Sequence, residues 1–281
     1  MIRELGPGKV ALDFGPTQMI MRFSGDGADT GVAIEAAEYA TGLVMELAEF
    51  KTFAARPQSE INSLDGLPTI LQRMIEAVRN SGDTDLTPMA AVAGTVSDMT
   101  ADWLFARGIS KIIVNNGGDI AIRLSGEQRA AVGIAPALGL HPTHVLHICA
   151  ADGIGGVTTS GSGGRSFTKG IATASTVVAT TASIADACAT SIGNATISPH
   201  PSIRMVKAEE IDPLTDLVGH WVVRDVGELP METVQASLEN GWRRAKDYLD
   251  KGIIKGSVIF IGQVGVILPE GLVTPLPHKN F

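Results

Sequence analysis

The chain has 281 residues, 44% hydrophobic and 19% charged, which excludes disorder and gives length for one large domain or two fused halves. A formal charge of −8 leaves no basic field to draw nucleic acid or an anionic membrane. Only two cysteines occur, so neither a disulfide framework nor a cysteine zinc site is indicated, and no apolar run approaches the roughly 20 residues of a membrane span. With no signal-peptide pattern in MIRELGPGKVALDFG, a soluble cytoplasmic protein is expected.

Apolar runs over residues 9–23 predict an opening strand or hairpin, ended by the turn-like SGDGADTG. From Val32 to Phe53, Ala36, Ala40, Leu43, Leu47 and Phe50 line one face and Glu35, Glu38, Glu46 and Glu49 another, which predicts one long amphipathic helix. Pro68 suits a first helical turn, Ile70, Leu71, Met74, Ile75 and Val78 supply an apolar stripe, and Gly82 closes that second helix. A third helix, Met89 to Arg107, is rich in small residues; its Asp98 and Asp102 share a face and are expected to be exposed.

KIIVNN and IAIRL read as strands joined by GGD, followed by β segments at Ala130–Ile134 and Thr143–Cys149. Beyond a glycine-rich stretch come a strand near Thr176–Thr180 and a helix Ser183–Ile192. The last third reads strand (Leu217–Val223), helix (Met231–Asp250), strand (Ser257–Ile267) and a proline-bearing tail. Strands mixed with long helices, without a βαβ rhythm, predict an α+β fold; the residues reveal no internal repeat and no linker that marks a domain boundary.

Seven glycines lie between Gly153 and Gly170, with hydroxyl residues among them. So much backbone freedom is costly to order, and close approach of a ligand, often an anion, to main-chain N–H groups explains it best. Thr158, Thr159, Ser160 and Gly161, with the cation of Arg165, offer what a phosphate cradle uses, although GxxxxGK[ST] is absent. No GxSxG elbow marks Ser160 as a nucleophile, and no catalytic residue is assigned. Asn115-Asn116-Gly117-Gly118-Asp119 reads first as a hairpin turn, and alternatively as a backbone surface passing close to a ligand. His144 and His147, three apart in a strand, point to opposite faces and do not form a metal pair. Asp186 and Thr190, four apart, share a helical face and could hold a hard cation such as Mg²⁺; the alternative is a capping box, Ser183-x-x-Asp186. Both readings stay open on the residues alone.

Taken in order, AAVAGTVSDMTADWLFARGISKIIVNNGGDIAI, VTTSGSGGR and STVVATTASIADACATSIG resemble the FAD:protein FMN transferases, or ApbE-like proteins, over Ala90–Gly193. The resemblance implies a single ApbE-like domain over residues 1–281 with a T-fold-like architecture, two related halves around a central ligand cleft. It also implies Mg²⁺ held by Asp186, Thr190 and a backbone carbonyl near Val92. A flavin (FAD or FMN) or another phosphate-bearing small molecule would bind at Asn116, Gly117, Gly118 and Asp119 and at Thr159, Ser160, Gly161 and Arg165. Phosphoanhydride cleavage or nucleotidyl transfer is the reaction class implied. The chain departs from the family in having Ala93 where a lysine precedes Gly94, and SFTKGIATA in place of a His-x-x-Asp-Pro-x-Thr-Gly segment. In this it is similar to the short cytoplasmic branch, some members of which are linked to sulfur assimilation and homocysteine formation. A sulfur-transfer component using Cys149 or Cys188, and a non-catalytic binding relative, are the alternatives. A homodimer and a monomer are equally compatible with the apolar helices and acidic charge.

Overall fold

Along TQMIMRFS, Thr17, Met19, Met21 and Phe23 are buried and the residues between them exposed, so Thr17–Ser24 is a strand with one wet face. The computed structural model describes residues 1–164, 166–213 and 215–277. In it β1 (Ile2–Glu4) and β2 (Lys9–Phe14) precede this strand, β3, and the three pair antiparallel in chain order. The Asp29 side chain accepts the Val32 N–H at 2.9 Å and starts α1 (Thr30–Ala48). The helix expected to run on to Phe53 breaks where Phe50 leaves helical geometry (φ −107°, ψ 12°), and α2 (Lys51–Ala54) is a separate turn. After α3 (Thr69–Ser81), Gly82 adopts the left-handed conformation (φ 65°) that ends a helix without steric cost.

The third predicted helix opens as a 3-10 turn, Pro88–Ala91, and continues as α4 (Val92–Phe105). β4 (Lys111–Asn116) and β5 (Asp119–Leu124) form the hairpin read from NNGGD: Asn116 pairs with Asp119, and Gly117 and Gly118 take φ of 68° and 116°. There follow β6 (Arg129–Ile134), β7 (His144–Cys149), β8 (Gly156–Ser160), β9 (Ala174–Ala179) and α5 (Ala182–Ala195). β10 (Ile203–Lys207), β11 (Trp221–Val226), α6 (Met231–Asp250), β12 (Gly256–Ile261), β13 (Val264–Leu268) and β14 (Thr274–Pro275) complete the described chain. The α+β reading is correct, and no described helix is long and apolar enough to cross a membrane. The strand expected over Ser257–Ile267 is a hairpin, because Gly262 turns the chain at φ 60°. β8 and β10 were not legible: glycines mask the first, and the second is a short ribbon partner of β11.

Two units are distinguished. The first comprises Met1–Ala130, His147–Thr158 and Val178–Ala187. In it β1 to β5 run antiparallel in sequence order, the start of β8 continues from β5 through Ile120–Val157, and α4 packs on β4, β5 and α1. Its core joins Val10, Met19 and Met21 of the strands to Ala36, Ala40, Met74, Ile75 and Leu104 of the helices. The second comprises Ala131–Leu146, Thr159–Val177 and the described residues from Cys188 onward. There α6 packs on the β12–β13 hairpin, and β10 pairs with β11.

Candidate functional site

Small residues in α4 let α5 approach at backbone contact within the first unit. A Cβ on Gly94 would lie 2.3 Å from the Ala182 carbonyl oxygen and 2.9 Å from the Asp186 Cβ. Gly156 is equally constrained, since a Cβ there would sit 2.3 Å from the Ala182 nitrogen. Part of the glycine enrichment read as a ligand wall therefore serves the packing of chain on chain.

This approach lets two carboxylates cap the start of the opposite helix. The third residue of α4, Gly94, donates its N–H to Asp186 Oδ2 at 2.9 Å. Reciprocally, the first two residues of α5, Ala182 and Ser183, donate theirs to Asp98 Oδ1 and Oδ2 at 3.0 and 2.7 Å. The alternative reading, a Ser183-x-x-Asp186 capping box, does not match the start of α5. The helix begins one residue earlier, Thr181 Oγ1 accepts the Ile184 N–H at 3.3 Å, and Asp186 is turned toward α4. Asp186 does cap a helix, but not its own.

Asp98, expected on an exposed face, is only 2% exposed. Arg123 Nη2 meets its Oδ1 at 3.0 Å and also lies 2.8 Å from Asp102, which pairs with Arg73 at 2.8 Å. Burial works against the Arg123 charge, but the carboxylates of Asp98 and Asp102 outweigh it and raise its pKa.

Asp186 keeps some exposed surface, yet its pKa is raised well above the ordinary carboxylate range. Desolvation is the largest cause and the negative charge of Asp119 the next; hydrogen bonds from the Gly94 and Ala93 N–H groups pull the other way. Two of the expected site residues, Asp119 and Asp186, thus lie within electrostatic reach of each other in the first unit. Asn116, opposite Asp119 across the hairpin, is buried, and its Oδ1 has no hydrogen-bond partner among the described residues. Thr158 Oγ1, fully buried beside Val157, is likewise unpartnered. In the turn itself the Gly118 N–H is taken by Asn115 Oδ1 at 2.9 Å, while a Cβ on Gly118 would meet nothing within 4 Å. Val92 opens α4 in the same unit.

Thr159, Ser160, Gly161 and Thr190 belong to the second unit. There Thr159 Oγ1 bonds Thr176 Oγ1 at 2.8 Å, and a Cβ on Gly161 would come within 2.6 Å of the Thr173 oxygen. The Ser162 and Gly164 N–H groups are also used internally, by Ala172 and Gly161 carbonyls. Arg165 lies outside the described residues. The residues that the sequence reading missed are Asp98 as a buried group, its partner Arg123, and the unpartnered Asn116 and Thr158 oxygens. The acid inside the small-residue run AGTVSD was the available signal for Asp98.

The cysteines differ. Cys188 is fully buried and burial pushes its thiol up to about 12, whereas Cys149 is partly exposed on a surface pocket lined by residues 126–129 and 149–151. Thiolate is the reacting form. Iodoacetamide at neutral pH is therefore expected to label Cys149 in the native protein and Cys188 only after denaturation, as read by peptide mass spectrometry. Equal native labelling of both would contradict the burial of Cys188.

A family model described as AbpE bacteria matches residues 3–268. The chain is 40% identical over 128 residues to a UPF0280 protein of Archaeoglobus fulgidus, covering 44% of this chain and 49% of that one. It is 36% identical over 170 residues to a UPF0280 protein of Methanothrix thermoacetophila, covering 57% and 65%. The chain thus spans about half to two thirds of the length of these curated relatives. Among solved structures it is similar to the apo flavinyl transferase ApbE of Pseudomonas stutzeri, at 15% identity and a TM-score of 0.48 over 68% of this chain and 85% of that one. For the apbe protein of Thermotoga maritima the values are 13% and 0.48, over 93% and 96%.

Proposed function

The chain belongs to the AbpE bacteria family of ApbE-like proteins, and from that membership we propose that it binds a flavin or other phosphate-bearing nucleotide together with Mg²⁺ at the Asp186 carboxylate. The observation that carries this reading is the Asp186 carboxylate turned toward α4, where it takes the Gly94 N–H at 2.9 Å, desolvated and within electrostatic reach of Asp119. A divalent cation would replace the proton that burial favours on Asp186 and offset the repulsion between the two carboxylates.

Among the described residues no three His, Cys, Asp or Glu side chains gather as a metal-holding group, so further ligands would have to be neutral oxygens. The donor set suits Mg²⁺ in that respect. Besides Asp186, the unpartnered Asn116 Oδ1 and Thr158 Oγ1 are hard oxygens in the same unit, and the family resemblance adds the carbonyl near Val92 and the hydroxyl of Thr190, one turn along α5. When bound, the cation would polarise a phosphoryl oxygen as a Lewis acid. The Gly94 and Ala93 N–H groups hold the Asp186 carboxylate in place, and the open side of Gly118 gives a ligand room to approach the backbone. The resemblance also assigns phosphate binding to Thr159, Ser160, Gly161 and Arg165. Phosphoanhydride cleavage or nucleotidyl transfer is the reaction proposed, in a single cytoplasmic T-fold-like domain of two related halves, as monomer or homodimer.

Ala93, where the family carries lysine, favours a second reading in which ligand binds without transfer. Titration calorimetry with FAD, FMN and ATP, with and without Mg²⁺, tests the first. We expect Mg²⁺-dependent binding of at least one nucleotide, lost in Asp186→Asn. No Mg²⁺ dependence for any of the three would end the metal-assisted reading. Binding without release of AMP from FAD would select the second.

A further inference from the structure

We propose that Asp98 is the positioning residue that sets the Asp186 carboxylate; this rests on Asp186 being the cation ligand just proposed. The argument is one of geometry. Four of the N–H groups that open any helix lack partners within it. For α4 the residue at the cap, Ala91, offers no side chain to receive them, and Asp186 of α5 does so at Gly94. For α5 the two leading N–H groups of Ala182 and Ser183 are received by Asp98 of α4.

Along α4 the two links lie one turn apart, at Gly94 and Asp98, and along α5 again one turn apart, at Ala182 and Asp186. They form a closed pair of cross-links, so releasing one end frees α5 to shift and swing Asp186. Asp98 does not itself serve a ligand, because both its oxygens are taken, by the Ala182 and Ser183 N–H groups and by Arg123. Its carboxylate pairs with Arg123 at 3.0 Å, and that guanidinium is fixed in turn by the Ile122 and Gly155 carbonyls at 3.0 and 3.1 Å. From Arg73 and Asp102 near the surface through Arg123 to Asp98, alternating charges lead inward to the start of the helix that carries Asp186.

The test uses the full chain with Mn²⁺ as the probe, followed by calorimetry, alongside amide hydrogen exchange at Gly94 and a melting curve for each variant. Asp98→Ala is expected to weaken Mn²⁺ binding by about 10- to 100-fold, the range for residues that orient a ligand from behind. Exchange of the Gly94 amide should quicken at the same time. Asp98→Asn, which keeps an acceptor for the α5 N–H groups, should recover part of both. A folded Asp98→Ala that binds Mn²⁺ as tightly as the unsubstituted protein overturns the proposal. If the alanine variant does not fold, Asp98→Asn decides: weaker Mn²⁺ binding at an unchanged melting midpoint supports positioning, and unchanged binding overturns it. Absence of Mn²⁺ binding by the unsubstituted protein would instead remove the metal reading of Asp186, and this inference with it.

Discussion

Gly94→Ala is expected to lower stability by about 3 kcal/mol, the upper end of the usual cost of overpacking. The added methyl would sit 2.3 Å from the Ala182 carbonyl oxygen and 2.7 Å from its carbon, both backbone atoms that no rotamer change can move aside. α4 and α5 must separate, which strains the Gly94–Asp186 and Asp98–Ala182 hydrogen bonds together. Because one kcal/mol moves the midpoint of a chain this size by roughly 2 to 4 °C, a fall of roughly 6 to 12 °C follows. Gly42→Ala supplies the opposite sign. Gly42 is an exposed residue of α1 with nothing within 4 Å of an added Cβ, so alanine there should stabilise by about 0.5 to 1 kcal/mol through helix propensity alone. Thermal melts of both variants settle the matter: a midpoint for Gly94→Ala at or above that of the unsubstituted protein would mean that the helices do not meet at this glycine.

A second large effect is expected from Asp186 in the absence of divalent cations. Folding raises its pKa above the unfolded value, chiefly through desolvation and then through Asp119. The stability linked to that shift is fully present below the unfolded carboxyl pKa and is lost as pH rises through the folded one. Each unit of elevation corresponds to about 1.4 kcal/mol once the acid is ionised in both states. Asp186→Asn keeps an acceptor for the Gly94 N–H but carries no charge. The substituted protein should therefore be more stable than the original at pH 8 without metal, and its stability should fall less between pH 4 and 8. Under the proposed assignment of Mg²⁺ to Asp186, the cation should reverse the order, raising the midpoint of the original protein at pH 8 and leaving Asp186→Asn unmoved. Identical pH profiles for the two proteins would show that the carboxylate is not desolvated as described.

Local pattern carried much of the fold. Residues 69–81 and 231–250 announce their helices because apolar side chains recur on one face and turn or proline residues bound them. The Asn116–Asp119 hairpin is legible because only glycine takes positive φ without strain at both turn positions. Less was legible where one residue type serves two ends. Glycines between 153 and 170 suggested a ligand wall, yet Gly156 and Gly161 are small because Ala182 and Thr173 backbone atoms press on them.

By itself the sequence determined an α+β chain of acidic charge, most of its helices, the NNGGD turn, and the ordered segments from Ala90 to Gly193 by which its family can be recognised. Only the tertiary structure decided that Asp98 is buried, that Asp186 caps α4 rather than its own helix, and that Asp119 stands near enough to oppose its ionisation. The reason lies in range. Periodicity records which face of one element is dry, whereas these bonds join residues 84 to 92 positions apart, and which carboxylate reaches which helix end is fixed only when the strands between them have paired.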